Sequence, residues 1–421
     1  MYRKIMDYLK EWKHSEHRKP LILQGARQVG KTYSILEFGR TCYENVAYFN
    51  FETNPKLNET FAENISPDYL IPILSHIAGQ TIIREKTLIV FDEVQLCERA
   101  LTSLKYFCED APEYHIIVAG SLLGVAVNRV KFSFPVGKVD MKTLYPMDME
   151  EFMLASGEEQ LVELIKKCFQ TDTPMPAALH DAAMQLYRQY LVVGGMPECV
   201  MQFIQTKDYI LVRNTQNTIL ASYLNDMSKY NNLNEIKKTR LAYDNITVQL
   251  SKKNTRFQYK LIKKGGRASE FENAIEWLCL SGIVSQVYKV EQIKKPLENY
   301  RDIDAFKIYV SDLGLLCAKK ELMANDILYM VKELDDFKGG MTENYVNVQL
   351  SINGYHMYYW KSARGAEIDF VIQREGKLIP IEVKSADNTR AKSLKVYMDT
   401  YQPAYAIKLS AKILRLRIIK K

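Results

Sequence analysis

Apolar and polar positions along the chain follow two rhythms. Between Pro20 and about Val139, four short apolar runs (LILQ, VAYFNF, TLIVFDE and HIIVAGS) alternate with segments of helical spacing, the pattern of a parallel α/β sheet. Ahead of them, Ile5, Tyr8, Leu9 and Trp12 recur at helical intervals and predict an amphipathic helix within residues 1–20. From Leu144 the period is helical to beyond Leu224, broken by Val193-Gly194-Gly195-Met196-Pro197, which predicts a turn. Between about Leu233 and Val310, FENAIEWLCLSGIVSQVYKV predicts a helix that stops at Gly282 and a strand after it, the order expected of a winged helix. FKIYVSDLGLL follows as strand and turn. From about Lys338 the pattern reads helix, strands, hairpin, helix, strand, a small α/β unit of its own.

Within that last unit, GAEIDFVIQREGKLIPIEVKS (Gly365 to Ser385) holds two β-rich runs on either side of a turn at Glu375-Gly376. A two-residue loop there sets Arg374 against Lys377, Asp369 against Glu382 and Glu367 against Lys384. Side chains two apart share a face, so these three carboxylates and one lysine are expected together. Ile368, Phe370, Ile381 and Val383 are expected on the opposite face, in a core. The plainest reading is a solvated strand face with a cross-strand Glu367–Lys384 ion pair.

Length and composition narrow the class. A chain of 421 residues exceeds one ordinary core. Seven cysteines without a CxxC pair suggest neither a disulfide framework nor a zinc site, and a reducing cytoplasm is the expected compartment. The charged N-terminus is no signal peptide, and no run is long and apolar enough to span a bilayer, so no membrane role is expected. The net charge of +7 is unevenly spread: residues 386–421 carry nine Lys or Arg against two Asp. SKKNTRFQYKLIKKGGR (Ser251 to Arg267) holds seven basic residues, no acid, and Phe257 and Tyr259. Such stretches can neutralise phosphates and stack on bases, or simply form a solvated face.

The sharpest motif is Gly25-Ala26-Arg27-Gln28-Val29-Gly30-Lys31-Thr32, which satisfies GxxxxGK[ST] between a predicted strand and a predicted helix. Its backbone N–H groups are expected to surround the β-phosphate of ATP, with Lys31 reaching the β- and γ-phosphates and Thr32 binding Mg²⁺. TLIVFDEVQ supplies the second half: its strand delivers Asp92 and Glu93 to the crevice where such sheets bind ligands. Asp92 fits a magnesium carboxylate and Glu93 the base for the attacking water; the pair also fits a helix cap. Ser121 fits either a γ-phosphate sensor or a helix cap, and Arg129 is the candidate arginine finger.

In order along the chain, GARQVGKT, LIVFDEVQ, AGSLLG, FPVGKVDMKTLYPMDMEEFM, VVGGMPECV, FKIYVSDLGLL and GAEIDFVI…IPIEVKS resemble a prokaryotic AAA-type P-loop ATPase family. That family carries a C-terminal nuclease-like (PD-(D/E)xK-type) domain of unknown function. The resemblance implies an α/β multidomain protein: a P-loop AAA-type ATPase domain over 1–145, a helical subdomain over 146–232, a winged-helix-like domain over 233–310, and a restriction-endonuclease-like α/β domain over 311–421. It implies Asp369 and Glu382 as ligands of a second metal, Lys384 as the catalytic lysine, and Glu343 as the preceding acidic residue. Relative to that family the chain has Lys138 where many members have an arginine, and a final strand is expected to be missing. The expected function is an Mg-dependent ATPase coupled to a nuclease-like domain acting on DNA, with RNA second. The alternative is a nucleotide-switched regulatory ATPase whose C-terminal domain is a silent docking module for nucleic acid or protein. An oligomer suits either.

Overall fold

A computed structural model of the chain describes residues 1–120, 134–229, 233–250, 256–385 and 391–412. They fall into two compact units. One comprises Met1–Tyr145 with Leu280–Gly282, the other Pro146–Cys279 with Ile283–Lys421.

The first unit is built on β1 (Leu21–Gln24), β2 (Asn45–Asn50), β3 (Thr87–Asp92), β4 (His115–Ala119) and β5 (Asp140–Thr143). They form one sheet in the order β2-β3-β4-β1-β5, parallel at every junction. β3 and β4 are buried from end to end, as apolar strands covered on both faces must be. Phe49, Phe51, Phe61 and Phe91 meet mostly edge-on or tilted on one side of the sheet. The helix Ile5–His14 turns Ile5, Leu9 and Trp12 inward, as its spacing predicts. β5 has no apolar run to announce it: DMKT is a half-exposed edge strand that forms by pairing along β1.

The second unit begins with helices Met149–Ala155, Glu159–Gln170, Ala177–Val193, Pro197–Thr206, Tyr209–Lys229 and Leu233–Leu250. Asp148 starts the first of them with a capping box, its side chain accepting from Glu151 N while Glu151 reaches back to Asp148 N. The predicted turn at Val193–Pro197 is a buried junction. Gly195 N donates to Asp312 Oδ2 at 2.6 Å, and Gly195 O accepts from Met147 N at 2.6 Å. A Cβ on Gly195 would stand 2.0 Å from the Met147 carbonyl oxygen, and Gly194 has φ +76°. Asp312 also caps the helix Leu313–Lys319 by accepting from Leu315 N. Two separate sequence blocks thus meet at Asp312, and Met147 joins them through the Gly195 carbonyl.

Six further strands make a mixed sheet: β6 (Val284–Val290), β7 (Arg301–Val310), β8 (Met357–Lys361), β9 (Glu367–Arg374), β10 (Lys377–Lys384) and β11 (Ile407–Ser410). Their order is β11-β10-β9-β8-β6-β7. The helix Ala268–Leu280 and the strands after it exist, but the β6–β7 pair is not a free wing. β6 has a second edge, and it pairs in parallel with β8 over Tyr288–Val290, so the two strands enlarge the C-terminal sheet. One face of that sheet packs on the helix Asp335–Ile352 through Val346 and Leu350, the other on the helix Lys392–Tyr401 through Leu394 and Tyr397.

The hairpin has the predicted turn and register. Glu375 and Gly376 both take positive φ, and Arg374 pairs with Lys377 through to Phe370 with Ile381. One core assignment is corrected. Phe370, Ile381 and Val383 share a core, whereas Ile368 packs on the other face with Trp360, Val371 and Tyr397. The cause is a register shift of β9 against β8 between Tyr358↔Val371 and Trp360↔Ile368, and such a bulge turns the following side chain over.

Candidate nucleotide site and acidic cluster

The phosphate loop joins the C-terminal end of β1 to the helix Lys31–Cys42. Three positive φ values curl it: Gly25 at 146°, Gln28 at 66° and Gly30 at 90°. Gly25 is also a close-approach position, because a Cβ there would lie 2.1 Å from the Leu144 carbonyl oxygen. Ala26 and Val29 are buried, while Arg27 lies half-buried in the loop. Lys31, 7% exposed, donates to the carbonyls of Gly25 (2.8 Å) and Ala26 (2.7 Å), across the concavity the loop encloses.

Asp92 ends β3 beside the first turn of that helix. Its Oδ2 accepts from Thr32 Oγ1 at 2.8 Å and from Tyr48 Oη at 2.8 Å, and its Oδ1 accepts from Glu93 N at 3.0 Å. Burial, then the bond to Asp92, raises the Tyr48 phenol to about 12 against the opposing bond from Asn50. Glu93 takes the left-handed conformation (φ 52°) and accepts from Gln95 Nε2. Thr32 and Asp92 present adjacent oxygen donors of the kind magnesium takes, so the residues present fit a nucleotide-bound Mg²⁺. Ser121 and Arg129 lie outside the described residues.

Two residues at this site carry no sequence signal. Arg3, 5% exposed, donates from Nη1 to Val29 O at 3.0 Å and from Nη2 to Tyr145 O at 2.8 Å, bracing the loop from the N-terminal segment. Tyr48 reaches Asp92 from β2, a strand whose alternation predicts its position but not its partner.

In the second unit, the predicted acidic residues converge on an unpredicted lysine. Lys307 of β7, 3% exposed, has its Nζ 3.0 Å from Glu367, 3.4 Å from Glu343 and 3.9 Å from Asp369. Tyr309 donates to Glu343 at 3.2 Å. Burial pulls the Lys307 ammonium down, and the surrounding anions, Glu343 foremost, outweigh it and hold it well above its ordinary range. Burial, then Glu343, pushes Asp369 up to about 8, with Lys307 opposing, Glu382 adding to the rise, and the bond from Val383 N (2.7 Å) opposing. Glu382 is paired with Lys384 and is raised by burial against that partner. The expected Glu367–Lys384 pair does not form: Glu367 binds Lys307 and, at 3.1 Å, Lys361.

A second metal is tested by this arrangement. Glu382 Oε2 is buried without a hydrogen-bond partner, which is a vacancy a cation could fill. Lys307, however, already occupies the centre of this face with its ammonium among Glu343, Glu367 and Asp369, and among the described residues no group of three His, Cys, Asp or Glu side chains is arranged to hold a metal ion. As folded, this face does not fit a divalent ion. The signal for Lys307 was present in FKIYV, where a lysine interrupts a strand otherwise apolar and buried from Ala305 to Val310.

Among the described residues no helix is long and apolar enough to cross a membrane. Residues 17–153 match a family model described as an AAA domain. Residues 184–326 and 338–419 match two domains of unknown function, DUF8612 and DUF4143. The carboxylates come from the second of these stretches and Lys307 from the first. No curated protein matches. Among solved structures, the Walker-type ATPase of Pyrococcus abyssi is similar at 13% identity and a TM-score of 0.47, over 76% of this chain and 95% of its own. The Aeropyrum pernix ORC1 protein, solved in complex with DNA, is similar at 14% identity and a TM-score of 0.28, over 76% of this chain and 91% of its own. The Thermotoga maritima RuvB Holliday junction branch migration motor is similar at 13% identity and a TM-score of 0.29, over 67% and 87%. None of the three reaches a TM-score of one half; residues 17–153 are similar to an AAA domain, and the Gly25–Thr32 loop in them has Lys31 and Thr32 positioned as a phosphate loop has them.

Proposed function

We propose that this protein is an Mg-dependent ATPase whose nucleotide cycle governs nucleic-acid binding by a C-terminal nuclease-like domain that is catalytically silent as folded. The observation that carries the ATPase half is the 2.8 Å contact between Thr32 and Asp92, which joins the two halves of the nucleotide site. On binding ATP, Lys31 leaves the Gly25 and Ala26 carbonyls for the β- and γ-phosphates. Thr32 and Asp92 would hold Mg²⁺, which would supply charge neutralisation at the phosphates. Glu93 orients water for attack on the γ-phosphorus, taking its proton as ADP and inorganic phosphate form. Lys31→Ala is expected to abolish ATP binding in calorimetry. Glu93→Gln should still bind, with hydrolysis slowed on the order of a hundred-fold or more. Wild-type turnover in Glu93→Gln would assign the base elsewhere.

The silent C-terminal reading rests on Lys307 standing among Glu343, Glu367 and Asp369. Cleavage is the second reading, supported by the orphaned Glu382 Oε2. Incubation of the full chain with DNA or RNA, ATP and Mg²⁺ or Mn²⁺ separates the two. No cleavage is expected; cleavage lost in Asp369→Ala would replace the silent reading with the nuclease one.

A further inference from the structure

The second unit contains a cleft of about 900 Å³ whose lining combines cations with apolar surface. Arg256, Lys260, Arg267, Lys289 and Lys361 line it, and no acidic residue does among the described residues. Lys289 and Lys361 have carboxylates beside them, Asp302 at 3.7 Å and Glu367 at 3.1 Å. Arg256, Lys260 and Arg267 are exposed and have no carboxylate at ion-pair distance among the described residues. Arg256 is fixed by donating to the Asp304 carbonyl at 2.8 Å. The apolar part of the lining is built, not incidental. Half-buried Tyr259 stands edge-on to Phe257 at 5.3 Å and to Phe306 at 6.1 Å, and Phe257 and Tyr359 lie buried beneath the lining.

A rim of cations whose lining holds no carboxylate favours an anionic ligand. An apolar lining beside it requires that the ligand also carry a flat or hydrophobic part. A concavity of this volume suits a ligand of nucleotide size, since pockets span roughly 300–1,000 Å³. A single strand offers that combination, with each phosphate next to an unpaired base; a duplex turns its bases inward. We propose that this cleft binds a segment of single-stranded nucleic acid, its phosphates on Arg256, Lys260 and Arg267 and a base against the half-buried Tyr259. This rests on the nucleic-acid reading above and gives it a location. It also gives the acidic cluster a connection to the ligand. Lys361 stands at the cleft and on Glu367 at once, so a phosphate there competes with Glu367 for the same ammonium.

The test measures binding of a fluorescent dT12 strand, a U12 strand and a 12-base-pair duplex to the full chain between 50 and 200 mM salt. The variant replaces Arg256, Lys260 and Arg267 together by Gln, and its thermal unfolding is followed to show that it folds. Single strands are expected to bind more tightly than the duplex, and DNA against RNA in the same assay identifies the natural strand type. The triple variant should lose at least ten-fold in affinity. Its salt dependence should fall by about 2 in log–log slope, since each neutralised phosphate of a single strand contributes roughly 0.7. Equal affinity and slope in wild type and variant would overturn the cleft assignment and leave nucleic-acid binding standing elsewhere. Tighter duplex binding would overturn the single-strand assignment. Failure of the wild-type chain to bind any of the three at 50 mM salt would remove the nucleic-acid reading and the cleft with it.

Discussion

His115 opens β4 with its ring against Trp12 and its Nδ1 2.7 Å from the Tyr43 hydroxyl, while its buried Nε2 has no partner. Burial, then the nearby Arg18, Lys13 and His14, pushes it down to about 3. Between its unfolded value near 6.5 and that folded value, the unfolded chain holds a proton that the native chain does not. Stability from this residue is therefore present above about pH 6.5 and is lost as pH falls through the window, by at most about 1.4 kcal/mol per pH unit. Urea unfolding between pH 7 and 4 should show that acid limb, and His115→Gln should flatten it. Arg3 makes a different prediction. Its two bonds hold the phosphate loop from outside, so Arg3→Ala should weaken Mg-ATP binding about ten-fold, as loss of charge-assisted bonds does, and Arg3→Lys should recover part of it. Calorimetric titration reads both. Lys31, Thr32 and Asp92 were legible because their spacing encodes a local loop and a strand end. Arg3, Tyr48 and Lys307 were not assigned, because their partners are far away in the sequence and only tertiary folding brings them near.

At the scale of elements, the strongly periodic runs were readable and the edges were not. The four apolar strands of the first sheet and the Glu375-Gly376 hairpin follow from pattern and turn chemistry alone. β5, by contrast, owes its form to a neighbour, and the β6–β7 pair belongs to a sheet whose other members lie beyond residue 356. The bulge that turned Ile368 over is likewise set by cross-strand fit, which alternation cannot foresee. The same sheet makes β7 accountable for the acidic face. Removing its ammonium with Lys307→Met should leave Glu343 without its cation and Glu367 with Lys361 alone, and cost about 3–5 kcal/mol in urea unfolding at neutral pH. Lys307→Met with Glu343→Gln should recover part of the loss, because one of the stranded charges is gone.

For the molecule as a whole, each unit has its own core and its own handle. Mg-ATP at a hundred times its Kd should stabilise the N-terminal unit by about 2.7 kcal/mol, visible as a calorimetric shift absent in Lys31→Ala. Gly195→Ala should act on the other unit. Its new Cβ meets the Met147 carbonyl at 2.0 Å, so the junction must open, at a cost above about 2 kcal/mol. That junction also bears on how the chain is made. Every strand of the nucleotide-binding sheet is synthesised within the first 143 residues. The Gly195–Asp312 bond, by contrast, spans 117 residues. A growing chain therefore has the strands of the nucleotide sheet while the helices that follow still lack their anchor, and the ribosome must deliver Asp312 before they can lock. Vectorial synthesis thus sets an order of assembly, nucleotide sheet first, C-terminal sheet last.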